Sequence, residues 1–100
     1  MKVIKLNNRY KLFKLGYTHA LMSTDIQNSY AEMRRVENAA RDLLGDQYAN
    51  CYDHNLGVFN GPWTSGHFKR SNRNPNLGFR TYVAVKREQD LLMIILKAHV

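Results

Sequence analysis

The sequence predicts an α+β domain: one long helix packed on one face of a mostly antiparallel sheet of four or five strands. A stripe of apolar residues with helical spacing runs through residues 24–44. Near the C-terminus, two runs rich in β-branched and aromatic residues flank five polar residues. A chain of 100 residues has room for one core, so we expect a single globular domain spanning residues 1–100.

The two C-terminal runs predict a β-hairpin over residues 79–97. Alternation along the first run gives two faces, with Phe79, Thr81, Val83 and Val85 on one and Arg80, Tyr82, Ala84 and Lys86 on the other. The second run, residues 91–96, has no polar residue, so it is predicted to be a central strand covered on both faces. A hairpin alone is marginal in water, so the other segments must cover it.

The helix prediction covers residues 24–44. Thr24 and Gln27 have the spacing of a capping box, and Gly45 is placed for a left-handed C-terminal cap. The face predicted to pack on the sheet contains Ile26, Tyr30, Met33, Val36, Ala40, Leu43 and Leu44.

The remaining segments are predicted to be short strands and loops. Residues 9–16 are predicted to form a strand, either ending at Gly16 or continuing to Met22. Turn-forming Asn, Gly and Pro residues are frequent over residues 46–78. Short strands are expected around residues 48–52, 56–59 and 63–69, with an exposed loop over residues 66–76.

The basic residues are segregated along the chain. Fifteen Lys and Arg residues against eight Asp and Glu give a formal net charge of +7. Residues 1–24 and 54–87 contain no acidic residue, whereas residues 25–53 contain six of the eight. This pattern predicts one positive surface, formed by the two acid-free segments, that attracts an anionic partner: DNA, RNA or an acidic protein surface.

The segment 63–73 interleaves basic and aromatic residues, as in surfaces that hold a phosphate backbone and stack bases. The basic residues near the N-terminus could extend the same surface. The candidate nucleic-acid-binding residues are therefore Arg9, Lys11, Lys14, Trp63, His67, Phe68, Lys69, Arg70, Arg73 and Arg80. The alternative for the aromatic residues is that Trp63 and Phe68 anchor the segment to the core. The favoured function is therefore that of a small basic protein that binds an anionic partner, most of all nucleic acid, without catalysing a reaction.

No catalytic residue, metal site or cofactor is predicted. Cys51 and His54 have Cys-x-x-His spacing, but no second pair of zinc ligands lies nearby in the sequence. The single cysteine cannot form an internal disulfide, which suggests a reducing, cytoplasmic setting, the host cytoplasm if the protein is viral. No apolar run approaches the roughly 18 residues needed to span a bilayer, so no membrane association is expected.

Two other functions remain open. The pattern at Phe79, Arg80 and Tyr82, with residues 92–99, resembles the C-terminal hairpin of the RelE-like bacterial mRNA-cleaving toxins, which are small, basic α+β proteins. This resemblance covers the last quarter of the chain. It implies metal-independent RNA cleavage in which Arg80 binds phosphate and Tyr82 or His67 transfers protons.

The chain also has the size and loop content of phage-encoded accessory proteins that inhibit a host or defence protein by surface docking. Exposed Trp, Tyr and Arg residues are the usual anchors of such interfaces. Trp63, Tyr52 and Arg73 would be the candidates. The sequence does not predict an oligomeric state.

Overall fold

The computed structural model describes residues 1–22, 29–69 and 79–99, with the backbone alone for residues 29, 30, 67–69, 79 and 80. Strands are labelled β and α-helices are labelled α. The two 3₁₀ helices carry no label and are identified by their order or their residue ranges. In chain order the elements are β1 Lys2–Lys5, a 3₁₀ helix Lys11–Leu15, β2 His19–Met22, α1 Ser29–Leu44, a 3₁₀ helix Gln47–Ala49, β3 Cys51–Asp53, β4 Val58–Asn60, β5 Trp63–Lys69, β6 Phe79–Val85 and α2 Glu88–Ala98.

The main sheet has four strands in the order β1-β2-β6-β5, and every neighbouring pair is antiparallel. β6 is central: its Val83 lies opposite Leu21 of β2 and Ser65 of β5. β3 and β4 form a separate two-stranded antiparallel sheet. The predicted α+β class is confirmed, although the described chain has two α-helices where one was expected.

Helix α1 follows the predicted stripe. Met33, Val36 and Ala40 are buried, as helical spacing requires of the face toward the sheet. Gly45 ends the helix in the left-handed conformation, φ +92°, and its N–H donates to the carbonyl of Arg41 at 2.9 Å. The predicted capping box of Thr24 and Gln27 lies outside the described residues.

The predicted strand over residues 91–96 is wrong, because this segment belongs to helix α2. Three residues at spacings of three and four, Leu91, Ile94 and Ala98, are buried, which is the pattern of one helical face. Glu88 and Asp90 lie in the first turn, where negative charge favours the helix dipole. The C-terminal run therefore covers the sheet as a helix and adds no strand to it.

The predicted strand over residues 9–16 is also wrong. Residues Lys11–Leu15 form a 3₁₀ helix that ends at Gly16, where φ is +99°. Leu12 is the buried residue of this helix, and its carbonyl accepts from the N–H of Tyr17 at 3.3 Å. The strand of this region is β2, His19–Met22, which follows the turn.

The sheet is covered on both faces by different elements. On one face, which we call the helix side, α1 and α2 pack on residues that include Val83, Val85 and Trp63. On the other, the hairpin side, the first 3₁₀ helix and the β3–β4 hairpin cover a second cluster. Tyr82 and Ala84 belong to this second cluster, whereas Val83 and Val85 belong to the first. The alternation predicted for β6 is therefore confirmed over residues 82–85.

The outer edge of β5 is protected by a side chain. Gln47 is buried, its Nε2 donates to Ser65 Oγ at 2.9 Å, and its Oε1 accepts from the Ser65 N–H at 3.1 Å. The side-chain amide thus replaces a neighbouring strand at this edge. Residues 66–69 belong to β5, so the predicted exposed loop does not begin at Gly66, and residues 70–76 lie outside the described part.

Within the parts of the chain that the structure describes, neither α-helix has the length and apolar character needed to cross a bilayer.

Candidate nucleic-acid interface

The hairpin side carries a groove flanked by basic residues, which we call the basic groove. It has a volume of about 300 Å³. The first 3₁₀ helix and the preceding turn form one wall, the β3–β4 hairpin forms the other, and β6 contributes one side chain. Its lining residues are Arg9, Tyr10, Lys11, Leu12, Leu56, Val58 and Tyr82.

Local turn chemistry presents the cations of this groove to solvent. Asn7 accepts the N–H of Arg9 on its side-chain oxygen at 2.9 Å and the N–H of Tyr10 on its carbonyl at 2.9 Å. The 3₁₀ helix that follows buries Leu12, and this leaves Lys11 and Lys14 exposed, as Arg9 also is. In the described parts of the chain, none of these three cations forms an ion pair with a carboxylate.

Two buried tyrosines support the hairpin side from below. The Tyr17 hydroxyl accepts the Gly61 N–H at 3.0 Å and lies 2.9 Å from the Gly61 carbonyl, to which it donates. Burial raises the pKa of Tyr17, although the backbone hydrogen bond from Gly61 opposes the shift. Burial, and then the charge on Tyr17, raise the pKa of Tyr82 to about 12. Both phenols are therefore neutral at physiological pH, and Tyr82 is a poor proton acceptor there.

A second groove of about 430 Å³, the aromatic groove, lies beside the first. Tyr48, Tyr52 and Phe59 form its aromatic wall, and its other lining residues are Glu37, Gln47, Gly57, Val58, Ser65, Gly66 and Thr81. Tyr48 is 63% exposed and Tyr52 is 44% exposed. Each meets Phe59 edge to face, with centroid distances of 5.0 Å and 4.9 Å.

The two grooves adjoin. Val58 lines both of them. Tyr82 in the basic groove pairs in register with Gly66 in the aromatic groove, and a Cβ at position 66 would lie 2.7 Å from the Tyr82 hydroxyl oxygen. One wall, built from β4, β5 and β6, therefore separates exposed cations from exposed aromatic rings.

Trp63 is not part of this surface. It is 0% exposed, it belongs to the helix-side core, and its Nε1 donates to the Gly45 carbonyl at 2.8 Å. The prediction that Trp63 stacks on a base is wrong, because the ring has no free face. Its alternative role as a core anchor is the one that the structure has.

The remaining candidates are located only by their backbone or not at all. His67, Phe68 and Lys69 lie on β5 and Arg80 on β6, with Phe68 opposite Arg80 in the register. Their side chains, and Arg70 and Arg73 entirely, lie outside the described part. That the two acid-free segments form one positive face therefore stays a prediction. β5 does extend three residues, roughly 10 Å, from Gly66 to Lys69.

Sequence reasoning did not identify the aromatic groove. Tyr52 and Phe59 are direct cross-strand partners in the β3–β4 hairpin, and Tyr48 reaches the same place from the second 3₁₀ helix. A signal was present in residues 53–57. Asp53 accepts the N–H of Leu56 at 3.0 Å, and Gly57 has φ +68°, as expected of a turn residue. A hairpin centred there pairs Tyr52 with Phe59.

The Cys51–His54 pair has ordinary surroundings. Cys51 is an exposed free thiol, and the ring of His54 packs edge to face on Tyr52, with centroids 4.9 Å apart. Among the residues described, no group of three or more His, Cys, Asp or Glu side chains is close enough to hold a metal ion.

Comparison of the chain with protein-family models, with curated proteins and with solved structures finds no match. The hairpin that carries the resemblance to the RelE-like toxins is not formed, because β6 is followed by α2.

Proposed function

We propose that this protein binds nucleic acid without catalysis, through the hairpin side of its sheet. The observation that carries the proposal is the pair of exposed cations, Arg9 and Lys11, on the rim of a groove. Neither forms an ion pair with a carboxylate within the described residues, so both charges are available to a phosphate. Lys14, on the same 3₁₀ helix, extends this cationic edge.

The energetics of the proposal are those of phosphate neutralisation. A cation that releases the counterions of a phosphate contributes to the binding constant, and the logarithm of that constant falls linearly with the logarithm of salt concentration. Such contacts position the protein but carry little sequence information. Binding of this protein is therefore expected to be strongly dependent on salt and nearly independent of sequence.

The test removes the two groove cations together. The variant Arg9→Ala/Lys11→Ala is expected to weaken oligonucleotide binding by roughly one to two orders of magnitude at about 0.1 M salt. The slope of log K against log salt should fall by about 1.4–1.8. Fluorescence anisotropy across a salt series measures both quantities.

The matched control is Arg35→Ala/Lys97→Ala. These two residues line a groove between α1 and α2 on the helix side. Both double variants remove two positive charges, so each lowers the formal net charge from +7 to +5. If the two variants lose the same affinity, the protein attracts nucleic acid by net charge alone and the basic groove is not its site.

The second cationic segment provides an independent test. We propose that Lys69, Arg70 and Arg73 add phosphate contacts to the same surface, since β5 leads from the grooves toward Lys69. Replacing all three by alanine is expected to reduce affinity equally for DNA and RNA of any sequence. Unchanged retention of both would remove this segment from the interface.

Docking on a protein partner, as an inhibitor does, is the second candidate function. Helix α2 favours it, since it exposes Leu92, Met93 and Leu96 to extents of 55%, 52% and 76%. Apolar side chains grouped on one surface are typical of protein interfaces. A pull-down with and without nuclease separates the candidates, because a stoichiometric protein partner would survive nuclease and a nucleic-acid-mediated one would not. The free thiol of Cys51 supports a reducing, cytoplasmic setting for either.

A further inference from the structure

The aromatic groove points to the kind of nucleic acid that the protein binds. We propose that the ligand is a single strand, whose phosphates lie against the basic groove and whose unpaired bases stack on Tyr48 and Tyr52 in the aromatic groove. This inference rests on the proposed function and adds the ligand class and the site of base contact to it.

Exposure and ring geometry support stacking at this site. The rings of Tyr48 and Tyr52 each meet Phe59 edge to face, at interplanar angles of 88° and 74°. Edge-to-face packing fixes the two rings, and their exposure of 63% and 44% leaves ring surface open to solvent. Stacking on an aromatic ring is available to every base, because every base has a π-face.

Charge assigns the two parts of a nucleotide to the two grooves. Asp46 and Asp53 are next in sequence to the groove residues Gln47 and Tyr52, and each accepts a backbone N–H at 3.0 Å. A phosphate is repelled by carboxylates, whereas a neutral base tolerates them and can donate its amino groups to them. Arg9 and Lys11 lie on the other side of the wall at Val58, where a phosphate is attracted.

This arrangement disfavours a duplex. In a duplex the faces of the bases are covered by their stacked neighbours, so no base can reach Tyr48 or Tyr52 unless it is flipped out of the helix at a cost in free energy. A single strand presents its bases without that cost. The wall shared by the two grooves lets one flexible strand contact both at once.

The experiment compares labelled single strands of DNA and of RNA, each about 12 nucleotides long, with the duplex of the same sequence, by anisotropy at constant salt. The single strands are expected to bind roughly tenfold more tightly or better. The variant Tyr48→Ala/Tyr52→Ala, which removes both stacking rings, should weaken single-strand binding by roughly 30-fold or more and leave duplex binding unchanged. Tyr48→Phe/Tyr52→Phe, which keeps both rings, should retain most of the affinity that the alanine variant loses, because stacking requires the ring and not the hydroxyl. The DNA and RNA arms show which sugar the site prefers.

The outcomes separate this inference from the function on which it rests. If duplex and single strands bind equally, and the alanine variant, folded by circular dichroism, loses nothing, then single-strand recognition is wrong while nucleic-acid binding stands. Should the alanine variant unfold, Tyr48→Ala alone decides, since Tyr48 is the more exposed of the two rings. If no oligonucleotide is bound at low salt, both proposals fail.

Discussion

The two faces of the sheet are held together by different means. On the helix side, large apolar side chains from two helices and the sheet pack around Val83, Val85 and Trp63. On the hairpin side, short irregular elements pack around Tyr17 and Tyr82. The hydroxyl of Tyr17 is hydrogen-bonded to the backbone of Gly61. The basic groove lies among the short elements of the hairpin side, whereas the aromatic groove lies beside the outer edge of β5, between the β3–β4 hairpin and Glu37 of α1.

The difference separates stability from binding. The burial of a large apolar area is non-directional, and it makes the largest favourable contribution to the free energy of folding. A short hairpin and a 3₁₀ helix supply less burial, but they place specific polar and aromatic side chains at the surface. We therefore expect substitutions in the helix-side core to change the stability of the fold, and substitutions at the surfaces of the two grooves to change affinity.

The largest effect is expected at Trp63. Trp63→Ala empties a fully buried site and leaves the Gly45 carbonyl without the indole N–H, so the free energy of unfolding should fall by roughly 3–5 kcal/mol. Urea denaturation measures the loss. The milder Trp63→Phe keeps enough of the fold for binding assays, and its folded form should bind oligonucleotides like the parent. A folded Trp63→Phe variant with reduced affinity would contradict the separation of the two faces.

A smaller effect is expected on the hairpin side at high pH. Below pH 10 Tyr82 is protonated in both the folded and the unfolded chain. Between pH 10 and about 12 the unfolded chain loses this proton and the folded one retains it, because burial raises the pKa of Tyr82 to about 12. The free energy of unfolding should therefore decrease by about 2–3 kcal/mol across that interval.

Absorbance at about 295 nm, where tyrosinate absorbs, follows the ionisation, and circular dichroism follows the fold. Tyr82→Phe is the control, and it should lose less stability between pH 10 and 12 than the parent does. If Tyr82 of the parent ionises near pH 10 while the fold persists, the hairpin side is more hydrated than its packing indicates.

The hydrogen bonds of Tyr17 are expected to contribute less. Tyr17→Phe leaves the N–H of Gly61 without its partner in the interior, which should cost roughly 1–3 kcal/mol. Tyr48→Phe is the matched control, since it removes the hydroxyl of an exposed tyrosine and should change stability by less than about 0.5 kcal/mol. Equal losses for the two variants would show that the buried hydroxyl does not hold the hairpin in place.

The fold could be predicted where the pattern was long or strictly alternating. The apolar stripe of α1 recurs over several turns, and β6 alternates between two covered faces. Residues 91–96 were misassigned because a short apolar run does not distinguish a buried strand from a helix. Extending the run to Glu88 and Ala98 brings in the acidic first turn and the helical spacing of the buried residues.

The candidate site could be predicted only in part. The exposure of Arg9, Lys11 and Lys14 follows from their charge, because long cationic side chains are rarely buried. Trp63 was misassigned because basic neighbours do not reveal which way a strand residue points. The aromatic groove depends on Tyr48, Tyr52 and Phe59 meeting in space, which follows from the register of the β3–β4 hairpin and from no local motif.

The smallest effect is expected at the outer face of α2. This helix allows an exposed residue and a buried residue of the same element to be compared. Leu96 is 76% exposed, so Leu96→Gln should change the free energy of unfolding by less than about 0.5 kcal/mol. Ile94, two residues earlier, is fully buried, and Ile94→Ala should cost roughly 2–5 kcal/mol. Thermal or urea denaturation of both variants compares them directly. A marked loss of stability from Leu96→Gln would mean that this face is covered in solution, as the protein-docking alternative requires, since burial of Leu96 by a partner or a second copy would link its apolar surface to stability.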